Sequence, residues 1–167
     1  MDFGLSDEQI LFKDTLRRFL AEQCPSTRVR SVMESDTGHD AALWHALSEL
    51  GVAGLNVPAE YGGSGLELLD VALAAEEFGF AATPGPFLAS AMAVTALVAG
   101  DDEANRATWL PRIASGDALA AVAIGEAGGE WRPQALATRV VDGKLTGSKP
   151  LVPGAAVADC LLVAALD

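Results

Sequence analysis

The chain has 167 residues, half of them apolar, so it can bury the core of one domain, or of one domain and part of a second. Its formal net charge of −12 argues against a nucleic-acid interface, which needs a basic face. No apolar run is long enough to span a bilayer. The N-terminus lacks the features of a signal peptide, so a cytoplasmic location is expected by default.

Cysteine and histidine usage excludes two further classes of site. Cys24 and Cys160 are far apart and in no CxxC pair, so we expect two buried thiols rather than a disulfide framework. His39 and His45 do not have the i, i+4 spacing that would direct both at one ion. The sequence therefore predicts no metal site.

The first helix is predicted over residues 7–23. Ser6 and Gln9 form a capping-box pattern, and the apolar residues that follow recur on one helical face. Pro25 ends this helix, and a weaker helix is predicted over residues 27–34.

The stretch 43–79 organises the rest of the chain. Asp40 is placed to cap a helix whose apolar stripe includes Trp44, and Gly51 can end it. An extended segment then reaches Pro58, and a glycine-rich bend leads to a second helix, predicted over residues 66–78 and ended by Gly79. Two helices are thereby joined by a stiff connector.

Two more helices are predicted after the break at residues 83–86. One covers residues 87–98 and ends at Gly100. The other is capped by Asp101 or Asp102, runs through Leu110 and is stopped by Pro111, with a separate last turn over residues 112–115.

After Gly116 the pattern changes from helix to strand. Apolar runs at 119–124, 136–141 and 160–166 predict strands, and Asp142-Gly143 predicts a hairpin turn into residues 144–146. The expected class is α + β, with an all-α domain over residues 1–117 and the first strands of a β-domain over residues 118–167. Because so few strands would leave open edges, we expect that the native protein continues past Asp167 or that another chain completes the sheet.

General chemical motifs are absent from the sequence. No GxGxxG or GxxxxGK[ST] pattern occurs, and Leu66 stands where a GxSxG elbow around Ser64 needs its second glycine.

Particular residues of the central stretch are more informative. The segments WHALSELG at 44–51, PAEYGGSG at 58–65 and the pair Glu76-Glu77 closely resemble the N-terminal helical domain of the acyl-CoA dehydrogenase family. SDEQILFKDTLRRFLAEQ near the N-terminus, GDDEANRATWLPRIASGD at 100–117 and DGKLTGSK at 142–149 agree with that family in order and spacing. The resemblance covers essentially the whole chain.

The resemblance implies an architecture and an activity. Family members have a helical domain, a central antiparallel β-barrel domain and a C-terminal four-helix domain, and usually form tetramers. They use FAD to dehydrogenate acyl-CoA thioesters between Cα and Cβ, in fatty acid or lipid metabolism, with electron-transfer flavoprotein as the expected electron acceptor. The chain would then be the N-terminal portion of an oxidoreductase, inactive alone, with an incomplete barrel. The carboxylate base, a Glu, would lie beyond Asp167, so no catalytic residue is assigned.

Site residues follow from two segments of the resemblance. Residues 122–132 stand where the family has "F-A-L-T-E-P-x-A-G-S-D", and residues 147–153 where it has "G-x-K-x-[WY]-I-[TS]". Gly125 replaces the Thr, Leu151 the aromatic residue and Pro153 the hydroxyl. The predicted cofactor-binding residues are Val122, Ile124, Gly125, Trp131, Leu151 and Pro153, and the predicted substrate-binding residues are Tyr61, Glu126 and Trp131.

Other interpretations stay open at this stage. The chain could belong to a non-catalytic partner subunit of a heteromeric dehydrogenase with a degenerate flavin site, or to a structural interaction module. Tyr61 could equally be a packed hinge, and Trp44 is expected in the core. Glu76 and Glu77 point about 100° apart on a helix, which favours solvated or interhelical roles over an acid/base pair.

Overall fold

The computed structural model describes residues 4–129 and 131–167. Within these residues, helices fill the first two thirds and short strands follow. The helices are α1 (Asp7–Gln23), α2 (Ser26–Met33), α3 (Ala41–Glu49), α4 (Leu68–Phe80), α5 (Phe87–Ala99) and α6 (Glu103–Ala114). The strands are β1 (Ala120–Ala123), β2 (Arg139–Val141), β3 (Lys144–Thr146) and β4 (Cys160–Val163).

The N-terminal helices form as their sequence signals predict. The Ser6 side chain accepts from the Gln9 amide and the Gln9 side chain accepts from the Ser6 amide, which confirms the capping box of α1. Asp40 accepts a hydrogen bond from the Leu43 amide and caps α3. Trp44 lies in the core, as expected.

The connector after α3 depends on its glycines. Gly51 ends the helix in the left-handed conformation, with φ of 80°, as predicted. A Cβ at Gly63 would lie 2.1 Å from the Val57 carbonyl oxygen, so the bend can pass Val57 only without a side chain there. Val57 itself is fully buried, and it fixes the bend against the core.

Helices α1 and α4 lie side by side and are joined by polar contacts. Lys13 donates to Glu76 at 2.8 Å, and Arg17 donates to the buried Glu77. The expected interhelical role of the two glutamates is confirmed.

Two predicted helix ends were wrong. α4 runs through Gly79 to Phe80, and Ala82 instead takes the left-handed conformation, with φ of 49°. α6 passes Pro111 and reaches Ala114. Leu110 and Ile113 on either side of the proline are fully buried, and this packing outweighs one lost backbone hydrogen bond.

The strands differ in part from the predicted hairpins. β2 and β3 form an antiparallel pair around Asp142 and Gly143, as predicted. β1 and β4, however, pair in parallel, with Ala120 opposite Cys160, because the long connection between them permits a crossover. β2 begins only at Arg139, since the amides of Ala137 and Thr138 donate to Glu126 instead of to a strand.

The two strand pairs do not close into a barrel within the described residues. β1 packs on α5, and this contact joins the helical part to the strands. Cys24 is buried as expected, whereas Cys160 is only half-buried. None of the helices described has the length and apolar character needed to cross a membrane.

Candidate functional site

A cavity of about 430 Å³ lies where β1 runs into its following loop. One wall is formed by Val122 and residues 124–129, the other by residues 150–153, and Met92 of α5 adds an apolar side chain. Val122, Ile124, Met92, Leu151 and Pro153 make the lining largely apolar, and Glu126 is its one charged residue. The cavity therefore suits a ligand with an apolar portion.

The structure gathers most of the predicted site residues around this cavity. Val122, Ile124, Gly125, Leu151 and Pro153, predicted to bind the cofactor, all line it. These residues come from segments about 25 positions apart in the sequence, and the parallel pairing of β1 with β4 brings the segments together. Their role in binding stays a prediction.

Trp131 and Tyr61 lie outside the lining. Trp131 is 70% exposed, two positions beyond the last lining residue of its loop. The Tyr61 hydroxyl donates to Glu103 Oε1 at 2.7 Å and thereby ties the glycine-rich bend to α6. This hydrogen bond raises the pKa of Tyr61. This contact is what a packed residue between two elements would make, and the substrate-binding role of Tyr61 stays a prediction.

Backbone groups supply the donors of the first wall. The amides of Gly125, Glu126 and Ala127 donate to no acceptor in the described part of the chain. A Cβ at Gly125, Gly128 or Gly129 would meet nothing within 4 Å, so the surface above them is open. This wall can offer N–H groups to the acceptors of a ligand at close approach.

Leu151 stands on the second wall in an unusual conformation. Its φ is 54° and it is 97% exposed. A left-handed conformation costs a leucine about 1–2 kcal/mol, and full exposure gives no packing in return. Such strain persists only where the surroundings fix the backbone, and it concentrates at ligand sites.

Glu126, which lines the cavity, forms an ion pair with Lys149. Lys149 Nζ lies 2.9 Å from Glu126 Oε1, and the two side chains are only 7% and 9% exposed. The Thr138 hydroxyl, the Ala137 amide and Lys149 together hold the pKa of Glu126 well below its usual range. The oxygens of Glu126 accept hydrogen bonds from its own chain, and its predicted contact with substrate stays a prediction.

Sequence reasoning missed Met92, Thr138 and Lys149. Met92 is on the exposed apolar face of α5, which only the packing of α5 on β1 directs toward the cavity. Lys149 belongs to the resembling segment 147–153, so the signal was present, but only Leu151 and Pro153 were chosen from it. Thr138 had no sequence signal.

A second cavity, of about 450 Å³, shares Leu151 and Val152 with the first. Its remaining lining comes mainly from β-strand side chains and from Gly147 and Lys149. It contains only one of the predicted site residues, Leu151. The first cavity is therefore the candidate site.

Comparison with known proteins gives one family. Residues 6–117 match the family model described as acyl-CoA dehydrogenase, N-terminal domain. Acyl-CoA dehydrogenase IpdE2 of Mycobacterium tuberculosis is 35% identical over 119 residues, which are 71% of this chain and 37% of that protein. This chain thus spans well under half the length of that relative.

Two solved structures share the fold over nearly the whole chain. The Tcur3481-Tcur3483 steroid ACAD G363A variant has a TM-score of 0.83 and 29% identity, covering 95% of this chain and 45% of that one. The acyl-CoA dehydrogenase from Bacillus anthracis, complexed with FAD, has a TM-score of 0.79 and 29% identity, covering 98% of this chain and 30% of that one.

Proposed function

This chain belongs to the acyl-CoA dehydrogenase family, and we propose that it is the N-terminal portion of an FAD-dependent enzyme that dehydrogenates an acyl-CoA thioester between its α and β carbons. The observation that carries the proposal is the cavity lined by Val122, Ile124, Gly125, Leu151 and Pro153, where two separate predicted segments meet. The proposed domain boundary is at residues 117 and 118.

The residues of the cavity fit a flavin. Its apolar lining suits the ring system, and the open glycine-rich wall admits a flat group. The amides of Gly125, Glu126 and Ala127 are the donors that the polar edge of the ring needs. No hydroxyl stands at residues 125, 151 or 153, so the donor set is backbone rather than side chain.

FAD, when bound, supplies the two-electron acceptor, which no side chain can provide. The chain's own share is to orient the ring and to exclude water. Leu151 and Pro153 would cover the ring from the second wall, and Val122, Ile124 and Met92 would exclude solvent from beneath. The base, a Glu, is assigned to the part of the full protein beyond Asp167.

Acyl-CoA is the proposed substrate of the full protein. The candidate contacts in this chain are Trp131, Glu126 and Tyr61. Trp131 is 70% exposed beside the glycine wall. We further propose a cytoplasmic, oligomeric protein, as a homo- or hetero-tetramer, with electron-transfer flavoprotein as its electron acceptor in lipid metabolism.

A second candidate function is that of a non-catalytic partner subunit in a heteromeric dehydrogenase. The loss of side-chain hydroxyls at residues 125 and 153 favours it, since each ordinary hydrogen bond contributes about 0.5–1.5 kcal/mol to binding. The steroid ACAD to which this chain is similar carries the paired name Tcur3481-Tcur3483. In this alternative, the active site belongs to the other chain.

The test is an absorbance spectrum of the purified full-length protein, with and without added FAD, followed by a bleaching assay. The panel of thioesters should include straight-chain, branched and steroid side-chain acyl-CoA. Bound flavin that bleaches with at least one thioester would support the dehydrogenase. Bound flavin that no thioester bleaches would contradict it, and failure to bind FAD would favour the partner subunit.

A further inference from the structure

The carboxylate of Glu126 joins three separate segments of the chain. Its Oε2 accepts from the Ala137 amide at 2.6 Å. Its Oε1 accepts from the Thr138 amide at 2.9 Å, from the Thr138 hydroxyl at 2.6 Å and from Lys149 Nζ at 2.9 Å. Charge-assisted hydrogen bonds of this kind are about twice as strong as neutral ones. Glu126 therefore fixes the start of β2 and the segment before residue 150 to the first wall of the cavity.

Lys149, which directly precedes the second wall, in turn binds two residues of the first wall. Its Nζ donates to the Ile124 carbonyl oxygen at 2.9 Å as well as to Glu126. Its side chain is 7% exposed, so an ammonium ion is held almost out of water directly before the second wall. Burying an ion pair contributes little net stability, because desolvation offsets the attraction. Its clearest effect is to fix geometry.

The segment that Lys149 anchors is tightly fitted. A Cβ at Gly147 would lie 2.4 Å from Thr138 Oγ1, so this segment passes directly against Thr138. Two residues after Lys149, Leu151 has its exposed side chain and its φ of 54°. Anchoring on one side of Leu151 explains why an exposed leucine keeps a strained conformation.

We propose that Glu126 and Lys149 form a latch that sets the spacing between the two walls of the cavity and holds the loop 150–153 over it. Both are positioning residues: they act through the loop, and Leu151 and Pro153 make the contact. The inference rests on the proposed function only for the identity of the ligand, FAD.

The first test is the Lys149→Met variant of the full-length protein. It removes the charge and both hydrogen bonds but keeps most of the apolar stem. We expect the Kd for FAD, measured by flavin fluorescence, to rise about tenfold, the effect of losing one charge-assisted hydrogen bond. Amide hydrogen exchange of residues 150–155 should become faster. The matched control is Lys144→Met, since Lys144 is an exposed residue of β3.

A rescue experiment distinguishes a positioning role of Lys149 from a merely structural one. Lys149→Arg keeps the charge and the donors, so it should restore the Kd to within about threefold of wild type. Glu126→Gln tests the other half of the latch. Because the two residues share the Glu126–Lys149 contact, the double variant should speed exchange by less than the sum of the two single changes.

Two results would overturn the latch. One is unchanged exchange of residues 150–155 in Lys149→Met with an unchanged Kd, and the other is additive effects in the double variant. If the wild-type protein does not bind FAD, the proposed function fails, and the exchange of residues 150–155 alone decides the latch. Faster exchange in Lys149→Met but not in Lys144→Met would then still support it. If Lys149→Met does not fold, Glu126→Gln takes its place in each comparison.

Discussion

Glu77 of α4 receives both forks of the Arg17 guanidinium of α1, from Nε to Oε2 at 2.7 Å and from Nη2 to Oε1 at 2.9 Å. The glutamate side chain is 0% exposed, whereas that of the arginine is 47% exposed. Lys13 adds a second cation 3.7 Å from Glu77. The charge inside the helical layer is therefore a carboxylate held by cations that reach it from the surface.

This asymmetry predicts that the two halves of the pair respond differently to mutation. Glu77→Met removes the buried charge and fills its place with apolar atoms, so stability should change by no more than about 1 kcal/mol. Arg17→Met leaves the carboxylate buried with Lys13 as its remaining cation, and should raise the unfolding equilibrium constant at least about tenfold more than Glu77→Met does. Urea unfolding of both variants measures the difference. Equal losses would show that the contact, rather than the buried charge, matters.

Stability should also depend on pH through Asp40. A hydrogen bond from Arg28, at 2.6 Å, is the main cause that lowers the pKa of Asp40 from 3.8 to about 2. Because the pKa of Asp40 is lower in the folded protein than in the unfolded chain, Asp40 contributes stability at pH values above its unfolded pKa. That stability is lost as the pH falls through the pKa of the folded state. Since Asn also caps helices, Asp40→Asn removes only the charge.

We expect the free energy of unfolding of the wild-type protein to exceed that of Asp40→Asn by about 2 kcal/mol near pH 6. This gap should close as the pH falls from about 4 to about 2. Denaturation curves at several pH values measure it. The control is the same pair of proteins in an Arg28→Met background, where most of the gap should be absent. A gap of constant size down to pH 2 would be inconsistent with the ion pair.

The helical part was predictable because its signals are local. Ser6 and Gln9, Asp40, and Gly51 each act on backbone groups within four residues, and each has its predicted role. The predicted helix ends at Gly79 and Pro111 were wrong, because tertiary contacts stabilise both helices beyond these residues. The burial of Ile113, for example, is a tertiary property that residues 112–115 alone do not show.

The candidate site was only partly predictable, for the same reason. Resemblance identified the segments around Gly125 and Leu151, but the pairing of Ala120 with Cys160 that brings them together is non-local. The segment of Glu126 by itself does not show the hydrogen-bond partners of this residue, and its predicted contact with substrate stays a prediction. Its partners Thr138 and Lys149 lie 12 and 23 residues away, and the start of β2 at Arg139 follows from the same contacts.

The glycine-rich bend offers a matched pair of substitutions. At Gly63 an added Cβ would lie 2.1 Å from the Val57 carbonyl oxygen, a backbone atom that cannot move aside, so Gly63→Ala should cost about 3 kcal/mol. At Gly62 the space is open and φ is 83°, so Gly62→Ala should cost about 1 kcal/mol from the left-handed conformation alone. Thermal unfolding compares the two. Equal costs, or a larger one at Gly62, would mean that the bend can move away from Val57.

The Leu151 side chain should strengthen FAD binding at a small cost in the stability of the folded protein. Leu151→Gly removes the left-handed strain of about 1–2 kcal/mol, partly offset by the greater freedom of glycine in the unfolded chain. The net expectation is unchanged stability or a gain of up to about 1 kcal/mol, because an exposed side chain gives up no packing. FAD affinity should fall nonetheless, since the apolar face over the cavity is lost. A large loss of stability would show that Leu151 packs against another part of the full protein.

Gly125→Thr tests whether the missing hydroxyl limits cofactor binding. A Cβ at Gly125 would meet nothing within 4 Å, and Gly125 is not among the glycines with positive φ, so threonine fits without strain. One added hydrogen bond of about 0.5–1.5 kcal/mol should tighten FAD binding by about two- to tenfold. Titration of the full-length protein by flavin fluorescence measures it. Gly125→Val is the matched control, because it adds the same volume without a hydroxyl. Equal gains from Thr and Val would assign the effect to packing, and a loss with both would show that the cofactor needs the bare backbone at residue 125.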